Sequence, residues 1–417
     1  MAERRRVVIT GMGAITPLAN SMAGTWRRLI GGESGIGPIT RFDAAELGLE
    51  TRIAGEVKGF NPADYMDARA ARRMDLFCQM AVAAALEAVG NARLPINDAT
   101  RDQIAVLFAT GIGGLTTIVD QEGVRVSKGP QRVSPFSVPA LMPNAAAGQI
   151  GLLLGVRGMG MALASACAAS NDALGLALAT IRQGWASAVI AGGAEAPLVP
   201  LAVAGFNQAG ALSTGYNEHP ERASRPFERD RDGFVLSEMA TALVLEELEF
   251  ARRRGAPIWA ELAGYGASMD AHHLVAPPPD GNGAVRAMRA ALADARIDPS
   301  EIDYVSAHGT GTPLNDPIET LAIKEVFGEG AYRIPVSSIK SMVGHAAGAC
   351  GALEAAACAY ALREGIVPPT INYEHPDPDC DLDYVPNEAR KVAIGAALSN
   401  NFGFGGHNSC VILRCVE

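Results

Sequence analysis

The chain of 417 residues is long enough for a large core, and its 48% hydrophobic and 19% charged residues are typical of a folded globular protein. A formal net charge of −10 argues against nucleic acid as a partner, because phosphate binding needs a basic surface. No apolar span is long enough to cross a membrane, and seven scattered cysteines without a CxxC pair predict a cytoplasmic protein with reduced thiols and no metal site.

Short β-branched runs alternate along the chain with Ala- and Leu-rich stretches of helical length. The predicted strands are RVVITG, QIAVLFATG, ASAVIAGG, TALVLEE, DYVSAHGTG, IPVSSIKS and NSCVILRC. The predicted helices are LFCQMAVAAALEAVGNA, a segment from about residue 168 to 183, AVRAMRAALADARI and AAGACGALEAAACAYALREG. This alternation predicts an α/β fold with buried helices.

The first strand, in VVITGMGAITPLA, carries a pair of glycines. It does not match a dinucleotide-binding fingerprint, because Thr16 stands where the third glycine should be and Pro17 follows at once. We therefore expect a tight turn leaving a core strand. The basic residues before this run resemble the start of a signal peptide, but Gly11, Gly13 and Pro17 interrupt the apolar stretch and favour a strand and turn.

Cys167 lies between a short apolar strand, GMGMALAS, and the helix that is predicted to follow it. A buried structural thiol would be inert. A thiol at a strand-to-helix turn is different, because unpaired N–H groups and the helix dipole stabilise a thiolate. The stretch by itself leaves both interpretations open.

Two histidines occupy comparable places in the second half of the chain. His308 follows the strand of DYVSAHGTG, and His345 lies between another strand and an Ala-rich helix. Histidines at the exits of two strands of an α/β protein indicate the crevice where such folds hold their sites. Lys340 ends the strand before His345. A lysine with no role beyond the end of a strand would be exposed to solvent. Glu354, inside the helix, is expected to pair with a cation.

The chain is predicted to be internally duplicated. A strand, a reactive residue and an Ala-rich helix occur around Cys167 and again around His345, each followed by a strand and a glycine-rich loop. We divide the chain into residues 1–255, which carry the cysteine, and residues 256–417, which carry both histidines and the loop NNFGFGG. No low-complexity linker separates the halves, so they are expected to interlock.

Four segments, ASACAAS, AHGTGTP, SSIKSMVGHAAGACGALE and NNFGFGGHN, resemble the signature segments of β-ketoacyl-acyl-carrier-protein synthases. The resemblance runs nearly end to end and is closest to the elongating type II enzymes of fatty acid synthesis. It implies the thiolase-like fold, two similar α/β halves in a five-layer αβαβα arrangement, usually as a homodimer. It also implies substrates carried by an acyl carrier protein, with no cofactor and no metal.

The resemblance also implies a role for each matching residue. Cys167 would accept the acyl group, and His308 and His345 would bind the malonyl thioester. The supporting charges would be Lys340, Glu354 and Asp316.

Further matching residues lie around this centre. Phe404 would supply an oxyanion-hole N–H and act as a gate, in a loop with Gly403 and Gly405. The expected pantetheine contacts are Thr310 and Thr312. The expected carrier-protein docking residues are Arg69, Arg72 and Arg73, whose spacing would place them together on one helix face.

The sequence departs from the family pattern in four places. Val275 and Ala276 stand where hydroxyl residues are usual, so one pantetheine contact is expected to be missing. The segment SEMA (residues 237–240) replaces Gly-Glu-Gly-Ala, His407 replaces a threonine beside the gating loop, and Gly215 stands where a basic docking residue is common. These departures concern substrate and partner rather than the reaction.

The implied reaction is a decarboxylative condensation in fatty acid elongation, and the alternative is a ketosynthase of the same type in a polyketide or other secondary-metabolite pathway. A thiolase would carry a second reactive cysteine in the glycine-rich loop, and an initiating or chalcone-type synthase would carry Asn in place of His345. A chain-length partner subunit would lack Cys167. A cysteine hydrolase with a Cys–His pair stays open on chemistry alone.

Overall fold

The computed structural model describes residues 4–416. The strands are β1 (Val7–Ile15), β2 (Gly37–Pro38), β3 (Ile53–Ala54), β4 (Ile104–Ala109), β5 (Gly160–Leu163), β6 (Ala188–Glu195), β7 (Met239–Glu247), β8 (Ala260–Met269), β9 (Tyr304–Ser306), β10 (Val336–Ser337), β11 (Ile366–Val367), β12 (Arg390–Lys391), β13 (Ala396–Gly403) and β14 (His407–Arg414). The α-helices are α1 (Met22–Ile30), α2 (Ala68–Ala71), α3 (Leu76–Ala92), α4 (Leu115–Lys128), α5 (Ser137–Leu141), α6 (Ala145–Leu154), α7 (Ala169–Arg182), α8 (Pro200–Gln208), α9 (Leu248–Arg253), α10 (Asn282–Ala295), α11 (Asn315–Phe327), α12 (Lys340–Val343) and α13 (Cys350–Glu364).

The main sheet has the strand order β10-β9-β13-β14-β8-β1-β7-β6-β4-β5 within residues 4–416. The two halves of the sheet are joined at its centre by a short pairing of β1 with β8, at Val8–Glu261 and Ile9–Ala260. Each half on either side of this junction has the same pairings from the outer edge inwards: parallel, parallel, antiparallel, antiparallel. The predicted similarity of the two halves is therefore confirmed.

Alternate residues of the strands face different apolar cores, because side chains of a strand point to opposite faces of the sheet. In β4, Val106 and Phe108 pack in the core that contains α3, whereas Leu107 packs in the core that contains α7 and α13. A third core lies between α10 and the second half of the sheet. The resulting order is α3, first half-sheet, α7 with α13, second half-sheet and α10. This order confirms the five-layer αβαβα arrangement.

The predicted turn after the first strand is wrong. β1 continues through Gly11 and Gly13 to Ile15. Both glycines lie against α3, where a Cβ on Gly11 would approach the carbonyl oxygen of Ala88 to 2.1 Å and one on Gly13 would approach that of Ala84 to 2.2 Å. The glycines therefore permit close packing of helix on strand rather than a turn.

The equivalent strand of the second half, β8, uses the same device and was not predicted from the sequence. A Cβ on Gly264 would lie 2.5 Å from the carbonyl oxygen of Ala291 in α10, and one on Gly266 would lie 2.3 Å from that of Ala287. Glycines weaken the sequence signal of a strand, which is why β8 escapes prediction.

No helix among the described residues is long and apolar enough to span a bilayer.

Candidate active site

Cys167 lies in the short connection between β5 and α7, two residues before the helix begins. The preceding residue, Ala166, has φ +50°. This left-handed conformation is costly for a residue with a Cβ, and such strain is concentrated at functional sites. The sharp turn presents the thiol to a pocket. The predicted strand-to-helix placement of Cys167 is therefore confirmed.

His308 and His345 meet Cys167 from two other connections, one after β9 and one between α12 and α13. Both imidazoles are buried. The Nε2 atom of His345 lies 3.1 Å from the Sγ atom of Cys167. The two imidazole rings are 5.5 Å apart, with an interplanar angle of 86°. Segments that are far apart in the chain thus place one thiol and two imidazoles at one point.

Burial controls the protonation of these three groups. It lowers the pKa of His308 and of His345 well below the ordinary value, and the charge of Lys340 lowers both further. The imidazoles are therefore neutral at pH 7. Burial also raises the pKa of Cys167 to about 11, although the Lys340 charge and a hydrogen bond from the Phe404 N–H oppose it. The resting group is a thiol, so burial outweighs the thiolate stabilisation expected at the start of the helix.

Lys340 begins α12 rather than ending a strand, and its side chain is only 1% exposed. It forms a buried ion pair with Glu354 of α13, so the predicted pairing of Glu354 with a cation is present. Burial disfavours the Lys340 ammonium, but the Glu354 carboxylate outweighs it and raises the lysine's pKa. Glu354 also accepts a hydrogen bond of 2.7 Å from the Asn401 side chain. A permanent positive charge thus lies behind the histidines.

The loop that carries His308 is held by two buried carboxylates of α11. Asp316 accepts from the backbone N–H groups of Phe227 at 2.7 Å and Gly311 at 3.1 Å. Glu319 accepts from the N–H groups of His308 at 2.8 Å and Gly309 at 2.7 Å. Asp316 therefore supports the site through the loop backbone. Glu319 was missed in the sequence; its signal is a carboxylate one helical turn after Asp316.

The glycine-rich loop between β13 and β14 lies directly against the nucleophile. A Cβ on Gly403 would be 2.9 Å from the backbone nitrogen of Cys167. Gly405 has φ +85°, which favours glycine. The Phe404 N–H helps to lower the pKa of the Cys167 thiol, while the Phe404 side chain is 38% exposed. Phe402, which was also missed, packs its ring 5.6 Å from that of His308.

A pocket of about 500 Å³ opens over the thiol. Its lining residues include the following predicted site residues: Cys167, His308, His345, Thr310, Thr312, Gly403 and Phe404. The hydroxyls of Thr310 and Thr312 are 3.0 Å apart. Val275 and Ala276 line the same pocket, so the two positions where hydroxyl residues are usual face it. The sulfur of Cys167 and one ring nitrogen of each histidine lie within 4.8 Å of one another, close enough to contact one bound group.

The three arginines do not share one helix face as predicted. α2 ends at Ala71, so Arg69 belongs to the helix whereas Arg72 and Arg73 follow it in a turn. All three are exposed and lie outside the pocket lining. The guanidinium of Arg73 stacks on the Phe136 ring at 4.4 Å. The arginines still form one basic surface segment, because the turn keeps them adjacent.

Two of the unusual residues have structural contacts. The Ser237 hydroxyl donates to the carbonyl of Gly55 at 3.1 Å, and the neighbouring Glu238 is buried and pairs with Arg41. A Cβ on Gly405 would lie 3.1 Å from the His407 ring, so this imidazole packs under the glycine-rich loop. Neither contact reaches Cys167.

Comparison with known proteins identifies the family of the chain. Family models match the chain over residues 4–251 (β-ketoacyl synthase, N-terminal domain) and 259–374 (β-ketoacyl synthase, C-terminal domain). The 3-oxoacyl-[acyl-carrier-protein] synthase 2 of Synechocystis is 50% identical over 406 residues, covering 97% of both chains. The protein of the same name from Staphylococcus aureus is 48% identical over 417 residues, covering 100% of both.

The fold agrees equally well with a solved structure. A type II PKS acyl-carrier protein in complex with its ketosynthase bound to the hexaketide (AntDE:AntF) gives a TM-score of 0.92 and 36% identity, covering 99% of this chain and 100% of that one. The thiolase-like fold expected from the signature segments is confirmed. The chain therefore belongs to the β-ketoacyl synthase family of acyltransferases.

Proposed function

We propose that the protein condenses an acyl group, held on Cys167, with malonyl-acyl carrier protein to give 3-oxoacyl-acyl carrier protein and CO2 in fatty acid elongation. One observation carries the proposal: a nucleophilic thiol shares a pocket with two neutral imidazoles, with the Nε2 of His345 3.1 Å from the sulfur. Two neutral imidazoles can present two N–H donors to a developing enolate oxygen, whereas a Cys–His hydrolase would use only one imidazole, as a general base. The full-length relatives named 3-oxoacyl-[acyl-carrier-protein] synthase 2 support the same conclusion.

In the first half-reaction, the Cys167 sulfur attacks the thioester carbonyl of the acyl carrier. The backbone N–H groups of Cys167 and Phe404 donate hydrogen bonds to the carbonyl oxygen as it becomes negatively charged. The bond to the pantetheine sulfur then breaks, and the thiol proton of Cys167 ends on that departing sulfur. One thioester replaces another, so the step is close to thermoneutral.

In the second half-reaction, the malonyl thioester oxygen accepts hydrogen bonds from His308 and His345. The bond to the malonyl carboxylate breaks, CO2 leaves, and its electron pair forms an enolate. The enolate carbon attacks the acyl carbonyl on Cys167, and the carbon–sulfur bond to the enzyme breaks. One proton from solvent restores the thiol. Loss of CO2 makes the condensation irreversible in practice.

The carrier protein is proposed to dock on the exposed arginines at positions 69, 72 and 73, with its pantetheine arm passing Thr310 and Thr312. Carrier proteins of this type are acidic, and a local basic patch offsets the repulsion of an enzyme with a net charge of −10. The related ketosynthase solved in complex with its acyl-carrier protein supports such a partner.

A homodimer is proposed to form along β5, an outer edge of the main sheet in the described residues. Unpaired strand edges usually need covering. Met161 on this strand is exposed, and Leu152 and Leu153 of the preceding helix are 79% and 45% exposed. A second copy would cover both features by edge-to-edge pairing. We also propose that the chain divides after residue 255 into its two halves, and that it works in the cytoplasm, where its free cysteines stay reduced.

Condensation assays with a panel of acyl carriers test the proposal. We expect malonyl-dependent formation of a 3-oxoacyl carrier, with acyl label mapped by mass spectrometry to Cys167 and to no other cysteine. Release of free acid without a carbon–carbon product would indicate a hydrolase instead. Turnover confined to polyketide-like acyl chains, which keep their keto groups unreduced, would place the enzyme in a secondary-metabolite pathway.

A further inference from the structure

His345 lies between two sulfur atoms. Its Nε2 faces Cys167 at 3.1 Å, and its Nδ1 lies 3.2 Å from the Sγ of Cys350. Cys350 is the first residue of α13 and is only 2% exposed. It takes no part in the reaction as described above, yet it contacts the ring that does.

The backbone favours one direction for these hydrogen bonds. The N–H of Ala346 donates to the Cys350 sulfur at 3.2 Å, so this sulfur already serves as an acceptor. A thiol has one further proton to donate, and the Nδ1 of His345 lies within reach of it. Burial raises the pKa of Cys350 well above its ordinary value, so the group keeps that proton at neutral pH.

A neutral imidazole carries one proton, and the hydrogen bond at one nitrogen decides which nitrogen holds it. A donor at Nδ1 leaves the proton on Nε2, the nitrogen that faces Cys167 and the pocket. His308 lacks a thiol partner among residues 4–416, and its ring interacts with the Asn401 side chain instead. The two histidines are thus held differently.

We propose that Cys350 is a positioning residue whose thiol donates a hydrogen bond to Nδ1 of His345. This hydrogen bond keeps the ring in the Nε2–H tautomer that is needed to bind the malonyl thioester oxygen. The second part of this statement rests on the proposed function. The relay runs from the Ala346 N–H through the Cys350 thiol to the His345 ring and the substrate. It needs no proton transfer during the reaction.

Cys350→Ala removes the donor, and Cys350→Ser replaces it with a hydroxyl of similar geometry. Cys358→Ala is the matched control, because Cys358 lies on the same helix, is fully buried in the same core and has no hydrogen bond to His345. We expect Cys350→Ala to lower kcat for malonyl decarboxylation about three- to tenfold, the effect of one hydrogen bond. KM for malonyl carrier should stay within about twofold, and Cys350→Ser should recover most of the loss.

Nitrogen NMR of 15N-histidine-labelled enzyme, assigned by loss of the signal in His345→Gln, reads the tautomer without substrate. We expect Nε2–H for His345 in the wild type and in Cys350→Ser, and a mixed population in Cys350→Ala. An Nδ1–H ring in the wild type would overturn the proposal. Equal kinetic losses in Cys350→Ala and Cys358→Ala, without recovery by serine, would also overturn it and make Cys350 a packing residue. Failure of the wild type to condense any substrate would overturn the proposed function but leave the tautomer measurement standing.

Discussion

The Nε2 of His345 lies 3.1 Å from the Sγ of Cys167, although 178 residues separate them in the chain. The two residues belong to different halves of the duplicated fold. Cys167 precedes α7 and His345 precedes α13, and these two helices pack side by side in the middle layer. The active site is therefore formed where the two halves meet. Its nucleophile comes from the first half and its histidines come from the second.

The histidines should affect the malonyl half-reaction more than acyl transfer. We expect His308→Ala and His345→Ala each to reduce decarboxylation by roughly 10²–10³-fold, the usual loss of one oxyanion donor. Transfer of acyl groups to Cys167 should continue at a measurable rate. Release of CO2 from labelled malonyl carrier and mass detection of acyl-enzyme measure the two steps separately. Intact decarboxylation with lost acyl transfer would reverse the assignment.

The ion pair between Lys340 and Glu354 should matter for stability as well as for activity. Lys340→Met leaves the Glu354 carboxylate buried without its partner, which costs about 3–5 kcal/mol in the free energy of unfolding. The double variant Lys340→Met/Glu354→Gln should recover most of that stability in urea titrations, because no buried charge remains. Condensation should stay impaired in the double variant. Recovery of full activity would mean that the lysine's charge has no chemical role.

The thiol of Cys167 should titrate late. Because burial raises its pKa to about 11, the thiolate fraction grows with pH throughout the neutral range. The rate of alkylation by iodoacetamide should therefore rise about tenfold per pH unit from pH 7 to pH 10. Lys340→Met should slow it at every pH, since it removes a charge that lowers this pKa. A rate that levels off near pH 7 would show that the helix start dominates over burial.

The basic segment should act on carrier-bound substrates only. We expect the double charge reversal Arg72→Glu/Arg73→Glu to raise KM for acyl carrier protein several-fold, with the effect fading at high salt. Turnover of a short pantetheine thioester should be almost unchanged. Arg333→Glu, at another exposed arginine, is the control. Equal losses with both substrates would make the segment structural.

The glycine-rich loop should separate gating from positioning. We expect Phe404→Ala to permit malonyl decarboxylation before Cys167 is acylated, because the ring no longer blocks entry, while the thiol stays reactive. Gly403→Ala should slow both half-reactions, since its Cβ would lie 2.9 Å from the Cys167 nitrogen. Gly405→Ala should also slow both, because its φ of +85° is strained for alanine. Unprimed decarboxylation at the wild-type level in Phe404→Ala would place the gate elsewhere.

The sequence by itself determined the α/β class, the repeated halves, the helices α3, α7, α10 and α13 and most of the long strands, because these depend on local periodicity. α3 covers the predicted segment LFCQMAVAAALEAVGNA from end to end. Cys167 and His308 were identifiable because they follow strands within distinctive motifs. His345 was identifiable from its motif, but its expected place at a strand exit is wrong, because α12 lies between β10 and this histidine. The glycines of β1 were misinterpreted, since only the packed α3 shows why a side chain cannot fit there.

Only the tertiary structure decided how the site is held. Two of its contacts depend on the direction of backbone N–H groups: the hydrogen bond from Ala346 to Cys350, and the hydrogen bond from His308 to Glu319. A third, the buried ion pair of Lys340 with Glu354, depends on contacts between layers. Such features leave no periodic trace in the sequence. They arise because a polar group that is buried away from water is costly unless it finds a partner within the protein.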